Sequence, residues 1–370
     1  MFLSSIILKN FRKHTDSRID FSNNNNYIIG GNGIGKTTVL EAIHYLSTTK
    51  SCSTSTDGEV VKLGENDFNI RGNFCGLTND IAELNYSRVE NKKVYMLNEK
   101  PIGKFSNVIG KFPVVLLSPV DHSITQGYPA DRRKFIDSII SQSSKTYLNN
   151  LIEYNRILKQ RAYLLNRIRE NYYKREAELD VWNEKLVKTG VEIIEQRSKF
   201  ITEFESYISD SYKTILSDKE IPGVFYYFLE DKCSDNMESC FVELLEQIEE
   251  DEIRRGVNLV GPHKDDIIFE INGINIKSYG SQGQHKTFQT VLRFAEYFYL
   301  KDKKQNSPVF LLDDVFGELD SERAFAISEY LSSVGQAIIT LTDFGNTSFL
   351  KMGKEDQVIK LSSDCEVAYA

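Results

Sequence analysis

Eight consecutive residues, Gly30-Gly31-Asn32-Gly33-Ile34-Gly35-Lys36-Thr37, carry the spacing G-x-x-x-x-G-K-[ST]. Glycines in that pattern let successive backbone N–H groups converge on one anion, with the following helix N-terminus adding partial positive charge. Lys36 is placed to reach terminal phosphates, and the Thr37 hydroxyl suits a Mg²⁺ ligand. The chemistry implied is binding of ATP or GTP. Far along the chain, the apolar run Pro308-Val309-Phe310-Leu311-Leu312 ends in Asp313-Asp314. Two acids at the end of a buried strand are where a nucleotide site needs them, so Asp313 is assigned to Mg²⁺ and Asp314 to activating the attacking water, with Lys36 as the second catalytic group. A third segment, Ser278-Tyr279-Gly280-Ser281-Gln282-Gly283-Gln284, opens a helix. Read alone it is an N-cap, with Ser281 satisfying free backbone donors.

These groups need elements to hold them. Tyr27, Ile28 and Ile29 form a short strand before the loop, and Thr38–Leu46 reads as a helix with Val39, Leu40, Ile43 and Leu46 facing inward. Other strands are expected at Leu3–Lys9, Asp16–Phe21, Phe68–Phe74, Ile81–Val89 and Lys93–Leu97, with Asn23–Asn26 a hairpin turn. From Ser144 to Ser217 the chain changes to long polar helices without proline, with Leu151, Tyr154, Leu158, Leu165, Ile168 and Tyr172 on one seam. Each helix is expected to run about 25 residues, roughly 37 Å, which makes a lobe and not a long coiled-coil tether. After Pro222 strands and helices alternate again: Val224–Leu229, Ser239–Ile253, Ile267–Glu270, Ile274–Lys277, a helix from His285 to Lys301, and the strand Ala337–Leu341. If the loop at Gly30 and the acids at Asp313 share one sheet, the nucleotide domain is interrupted. The expected division is residues 1–110 and 258–370 as two halves of a head around an arm lobe at 111–257, and the class is α/β.

A chain of 370 residues with 41% hydrophobic content can bury more than one core. No run approaches 18 apolar residues, and Phe2–Leu8 is too short and too polar for a signal segment, so no membrane role is expected. Cys52, Cys75, Cys233, Cys240 and Cys365 form no C-x-x-C pair and are odd in number, which favours a reducing cytoplasm over a secreted framework. The net charge of −8 requires any DNA contact to come from a local basic face.

A phosphate loop, a Ser-Gln-Gly-Gln turn, an acidic strand and then Gly317-Glu318-Leu319-Asp320 follow the order used by ATP-binding-cassette heads. Further segments narrow the resemblance: Leu8-Lys9-Asn10-Phe11-Arg12, Leu40-Glu41-Ala42-Ile43, Ser118-Pro119-Val120-Asp121, the stretch Pro129–Asp137, Gly261-Pro262-His263-Lys264-Asp265-Asp266 and Leu311–Phe316. Over nearly the whole chain these resemble the RecF family of bacterial recombination proteins. Thr38, Lys264, Lys286 and Gly317 depart from its commoner pattern, as does the less basic Lys50-Ser51-Cys52-Ser53.

The resemblance implies an ABC-type ATPase head, a phosphate-loop sheet with an antiparallel β subdomain, carrying a helical arm. It implies ATP and Mg²⁺ as cofactors, and a homodimer when ATP is bound, the signature turn of one copy facing the γ-phosphate held by the other. The cofactor-binding set is then Gly30, Gly31, Asn32, Gly33, Ile34, Gly35, Lys36, Thr37, Thr38, Arg12, Ser281, Gln282, Gly283 and Gln284, with Thr37 and Asp313 on the metal. It further implies a weak, DNA-stimulated ATPase of DNA repair, replication restart and the SOS response, which marks gapped or junction DNA and works with RecR and RecO to load recombinase onto single strands. Asp314 is one methylene shorter than the Glu usual in such heads, and no His follows the strand Ala337–Leu341, leaving Thr342 or Asp343 as γ-phosphate sensor. Hydrolysis is therefore expected to be slow, a timer and not a motor.

For DNA, the basic candidates are Arg132, Arg133 and Lys134 and the arm series Arg156, Lys159, Arg161, Arg167, Arg169, Lys174 and Arg175. The same charges also fit structural ion pairs and a solvated helix face. A glutamine-loop residue is sought between Ser118 and Gln126, with Asp121 and Gln126 as candidates. Two other classes share part of the pattern. A transporter's energising subunit is opposed by the Asn10-Phe11-Arg12 start, the Ser-Gln-Gly-Gln turn and the arm, and a non-hydrolysing scaffold is opposed by Asp313 and Asp314.

Overall fold

Alternating burial along Phe2–Phe11, with Leu3, Ile6, Leu8 and Phe11 inside, makes that segment one layer of a half-buried antiparallel sheet. The computed structural model describes residues 1–170, 177–216, 220–229, 236–304, 306–318, 321–342, 352–362 and 365–369. The chain divides into two compact units, one of Met1–Asp121, Asp210–Glu220 and Thr287–Ala370, the other of His122–Ser209 and Ile221–Lys286.

The first unit contains two six-stranded sheets. One is antiparallel, in the order His14–Asp20, Phe2–Phe11, Asp67–Cys75, Asp80–Ser87, Lys92–Leu97 and Lys100–Pro101. The other runs Val367–Tyr369, Gln357–Leu361, Asn25–Ile29, Gln336–Leu341, Val309–Asp313 and Val114–Leu117; only Val367–Tyr369 is antiparallel to its neighbour. Val309–Asp313 and Gln336–Leu341 are buried at every position, as strands covered on both faces must be. The helix Lys36–Thr48 joins the layers: Val39, Leu40, Ile43 and Leu46 enter one core with Ile6 and Ile70 of the first sheet and Ile28 and Leu311 of the second.

The second unit holds the helices Pro129–Ser143, Lys145–Glu170, Met237–Arg255 and most of Glu178–Leu216, with a small sheet of Pro222–Tyr227, Asp266–Ile271 and Ile274–Asn275. Two buried guanidiniums organise it. Arg161, fully buried, donates to Asn183, Asn258 and Glu252. Arg197 donates to both Asp137 oxygens at 3.0 Å and to the Pro262 carbonyl at 2.7 Å. His263 lies nearby, its Nδ1 2.9 Å from the Tyr154 hydroxyl and its Nε2 3.2 Å from the Asn258 carbonyl.

Several expectations change. Asn23–Asn26 is no hairpin turn, because His14–Asp20 and Asn25–Ile29 belong to different sheets; Asn25 and Asn26 are strand residues, and buried Asn26 donates to the carbonyls of Ser22 and Asn24. Val114–Leu117, expected within the arm, is an edge strand of the parallel sheet beside Val309–Leu312. The chain returns to the first unit briefly at Asp210–Glu220, lies with the helical unit from Ile221 to Lys286, and rejoins the head for good at Thr287, not at 258. The second long helix has 39 residues, not 25. Along the seam Tyr154, Leu165 and Ile168 are buried, and Tyr172 lies outside the described residues.

Candidate functional site

The strand Asn25–Ile29 stops at Gly30, whose N–H donates to the Leu341 carbonyl at 3.4 Å, and the helix begins at Lys36. Gly35 caps that helix at φ 108°, and a Cβ there would lie 2.8 Å from His14 Nε2, so both conformation and space demand glycine. Lys36 is buried, and its ammonium donates to the carbonyls of Gly30 at 2.6 Å and Gly31 at 2.8 Å. Burial lowers its pKa, opposed by the nearby charges of Asp314 and Asp313.

Thr37 and the distant acids do meet. Thr37 Oγ1 donates to Asp313 Oδ1 at 2.8 Å, and Thr340 Oγ1 donates to the same oxygen at 2.8 Å. Asp314 follows at φ 50°, its N–H held by Thr340 Oγ1 at 3.0 Å. A left-handed residue directly after a buried strand turns the chain out of the sheet at the site's edge. The cleft formed there has a volume of about 320 Å³ and is lined by Arg12, Lys13, Asn32, Gly33, Gly35, Lys36, Thr37, Thr38, Asp313, Asp314, Thr340 and Thr342. A hydroxyl and a carboxylate side by side are hard oxygen donors, which fits Mg²⁺, a metal that takes few protein ligands beside substrate phosphates.

Arg12 lines the cleft, yet its guanidinium is held by Glu41 in a two-pronged pair at 3.0 and 2.9 Å and by Ser53 at 2.6 Å. Glu41 is nearly buried; burial alone would raise its pKa, but hydrogen bonds from Arg12, Ser51 and Ser53 bring it below the usual range. Ser51 and Ser53 are thereby tied to the loop helix.

The Ile34 side chain packs on the core, and its carbonyl accepts from the Cys365 thiol at 3.3 Å. Ser281, Gln282, Gly283 and Gln284 lie in the other unit, at the start of the helix Gln282–Lys303. There Ser281 N–H donates to Gln284 Oε1 at 2.9 Å and Gln284 N–H to Ser281 Oγ at 3.2 Å, a capping box that leaves Ser281 and Gln282 exposed. Asp121 is buried against Arg293 at 2.7 Å, and Gln126 is exposed. Asp343, Leu319 and Asp320 lie outside the described residues.

The DNA candidates sort by burial. Arg132 is buried, its Nε and Nη2 on Asp266 at 2.8 and 2.9 Å, and Arg161 is sealed on Glu252; both are internal ion pairs, not cations offered to DNA. Arg133 donates to the Asp265 carbonyl. Arg167 is half-exposed and paired at 3.5 Å with Glu178, while Arg156, Lys159 and Arg169 are exposed. Lys174 and Arg175 lie outside the described residues. Lys13, His14 and Thr340 were not singled out by sequence, and Glu41 entered only as part of the segment Leu40-Glu41-Ala42-Ile43. Lys13 alone carried a signal, its position beside Arg12.

A family model described as the RecF/RecN/SMC N terminal domain matches residues 2–364. The DNA replication and repair protein RecF of Chloroherpeton thalassium is 40% identical over 354 residues, covering 93% of this chain and 95% of that protein. That of Salinibacter ruber is 36% identical over 358 residues, covering 93% and 86%. Among solved structures, the recombination mediator protein RecF with ATP, of the RecFOR pathway, has a TM-score of 0.90 at 29% identity, covering 100% of this chain and 97% of that one. The Smc head of Pyrococcus furiosus, at 16% identity and a TM-score of 0.59, shares the fold. Among the described residues, no helix is long and apolar enough to cross a membrane. With an ATPase-head fold, the loop and acids at one sheet edge and relatives matched over nearly their full length, the chain belongs to the RecF family.

Proposed function

We propose that this protein is an ATP-dependent DNA-binding protein of recombinational repair and replication restart, which dimerises on gapped or junction DNA when ATP is bound and hydrolyses it slowly to let go. The observation that carries the reading is the 2.8 Å contact between Thr37 and Asp313, beside a buried lysine whose ammonium donates to two neutral carbonyls. An ammonium on neutral carbonyls gains oppositely charged acceptors when phosphate oxygens replace them, so Lys36 is poised to exchange partners.

In this reading the loop N–H groups and Lys36 bind the polyphosphate, and Thr37 and Asp313 hold Mg²⁺. The metal, when bound, neutralises charge on the phosphate oxygens. Asp314 orients the attacking water and accepts its proton. The exposed turn at Ser281 is offered to nucleotide on a second copy. Phosphates of DNA are met by exposed arm cations such as Arg169, and RecR and RecO are the partners of this reading, in the cytoplasm.

The test is molecular mass in solution with ATP, with ADP, and with Lys36→Met plus ATP, each with and without a gapped duplex. A dimer in the first case only, retaining DNA, is expected. A monomer throughout, or a dimer indifferent to nucleotide and DNA, overturns the shared-site reading in favour of a scaffold.

A further inference from the structure

Three consecutive residues at the tip between the first two strands engage the phosphate loop and its helix. Arg12 grips Glu41 of the loop helix, Lys13 Nζ donates to the Gly33 carbonyl, and buried His14 presents Nε2 to the Gly35 carbonyl at 3.2 Å. The tip is a two-residue turn, since Phe11 pairs with His14 across the antiparallel ladder, and Arg12 takes φ 52° to make it. Its backbone is thus pinned on both sides of Lys13. Lys13 itself is exposed at the mouth of the cleft, and among the described residues no carboxylate forms an ion pair with it. A fixed base with an unpaired ammonium on a neutral acceptor is a preorganised cation awaiting a better one.

We infer that Lys13 is a second phosphate-contacting lysine of this site, reaching the bound nucleotide from the hairpin tip and favouring the triphosphate over the diphosphate. The inference rests on the nucleotide reading above. Loop amides cradle the phosphates that ATP and ADP share, and Lys36 is one cation reaching toward the terminal ones. A further cation therefore adds most for the ligand carrying the extra charge. Arrival of ATP would draw Lys13 from Gly33, so the hairpin tip feels whether the third phosphate is there.

The experiment is equilibrium binding of fluorescent ATP and ADP to the full chain, comparing wild type with Lys13→Met, Lys13→Arg and Lys36→Met, with circular dichroism as a check on folding. Lys13→Met is expected to weaken ATP about tenfold and ADP by less than about threefold, with Lys13→Arg close to wild type for both. Equal losses for both nucleotides, no loss, or failure of the arginine to rescue overturns the inference and leaves the nucleotide reading intact. If Lys36→Met binds ATP as wild type does, the nucleotide reading itself fails and takes this inference with it.

Discussion

Thr37 and Asp313 stand 276 positions apart in sequence and 2.8 Å apart in space, hydroxyl to carboxylate. Asp313 also receives Thr340, so one carboxylate oxygen gathers the start of the loop helix and the neighbouring strand. Asp313→Ala is expected to lower ATP turnover by roughly 100-fold or more, and Thr37→Ala by about tenfold with a higher Mg²⁺ requirement. Steady-state hydrolysis titrated with Mg²⁺ measures both.

Asp314 is aimed by its backbone. Thr340 Oγ1 accepts its N–H at 3.0 Å while the residue sits at φ 50°. Asp314→Asn should cut turnover by at least about tenfold, since a positioned base contributes 10²–10⁴ in favourable cases, and should prolong the ATP-bound dimer. Thr340→Val, which removes the acceptor, should give a smaller loss of kcat. Unchanged turnover in Asp314→Asn would remove it from the mechanism.

The two arm arginines are expected to separate stability from DNA binding. Arg161→Ala leaves Glu252 buried without its cation, and a loss of about 3–5 kcal/mol in unfolding free energy is expected. Arg169→Ala removes an exposed cation bonded to Asn166 and the Arg255 carbonyl, so stability should move by less than about 1 kcal/mol while retention of gapped DNA weakens and becomes less salt-dependent. Urea unfolding and DNA binding at two salt concentrations, run on both variants, read the difference.

His263 makes the helical unit sensitive to acid. Burial, helped by Lys264, Arg133 and Arg161, pushes its pKa down to about 4, against the pull of the Asn258 carbonyl. With Nε2–H donating to Asn258, Nδ1 accepts from Tyr154, which is the neutral ring. An unfolded chain protonates this imidazole near 6.5, so below that pH the unfolded state binds the extra proton and stability falls, by about 3 kcal/mol once pH reaches 4. His263→Gln should flatten that slope in a pH series of urea midpoints.

What could be read from sequence was chemistry concentrated in one segment. The loop from Gly30 to Thr37 carries its own strand, turn and helix start, and Val309–Asp313 is apolar at every position before the acid, so neither depends on a distant partner to be recognised. Val114–Leu117 escaped because four apolar residues take their meaning only from pairing with Val309–Leu312. Arg161 looked like a solvated cation because Glu252 and Asn258, which bury it, lie 91 and 97 positions away. Asn26 read as turn because an asparagine run signals one locally, whereas its amide satisfies carbonyls on its own loop from inside a sheet. Each miss is a place where long-range contacts overrule local preference.

The position of Asn25–Ile29 between Gln336–Leu341 and Gln357–Leu361 also bears on synthesis. The strand that delivers the phosphate loop gains its first neighbour in the sheet only after about three hundred further residues have been translated. A partly made chain can fold its antiparallel sheet on schedule, yet it has no frame on which to stretch the loop open. Competence to hold nucleotide therefore waits on the synthesis of Gln336–Leu341, the strand that first gives Asn25–Ile29 a partner.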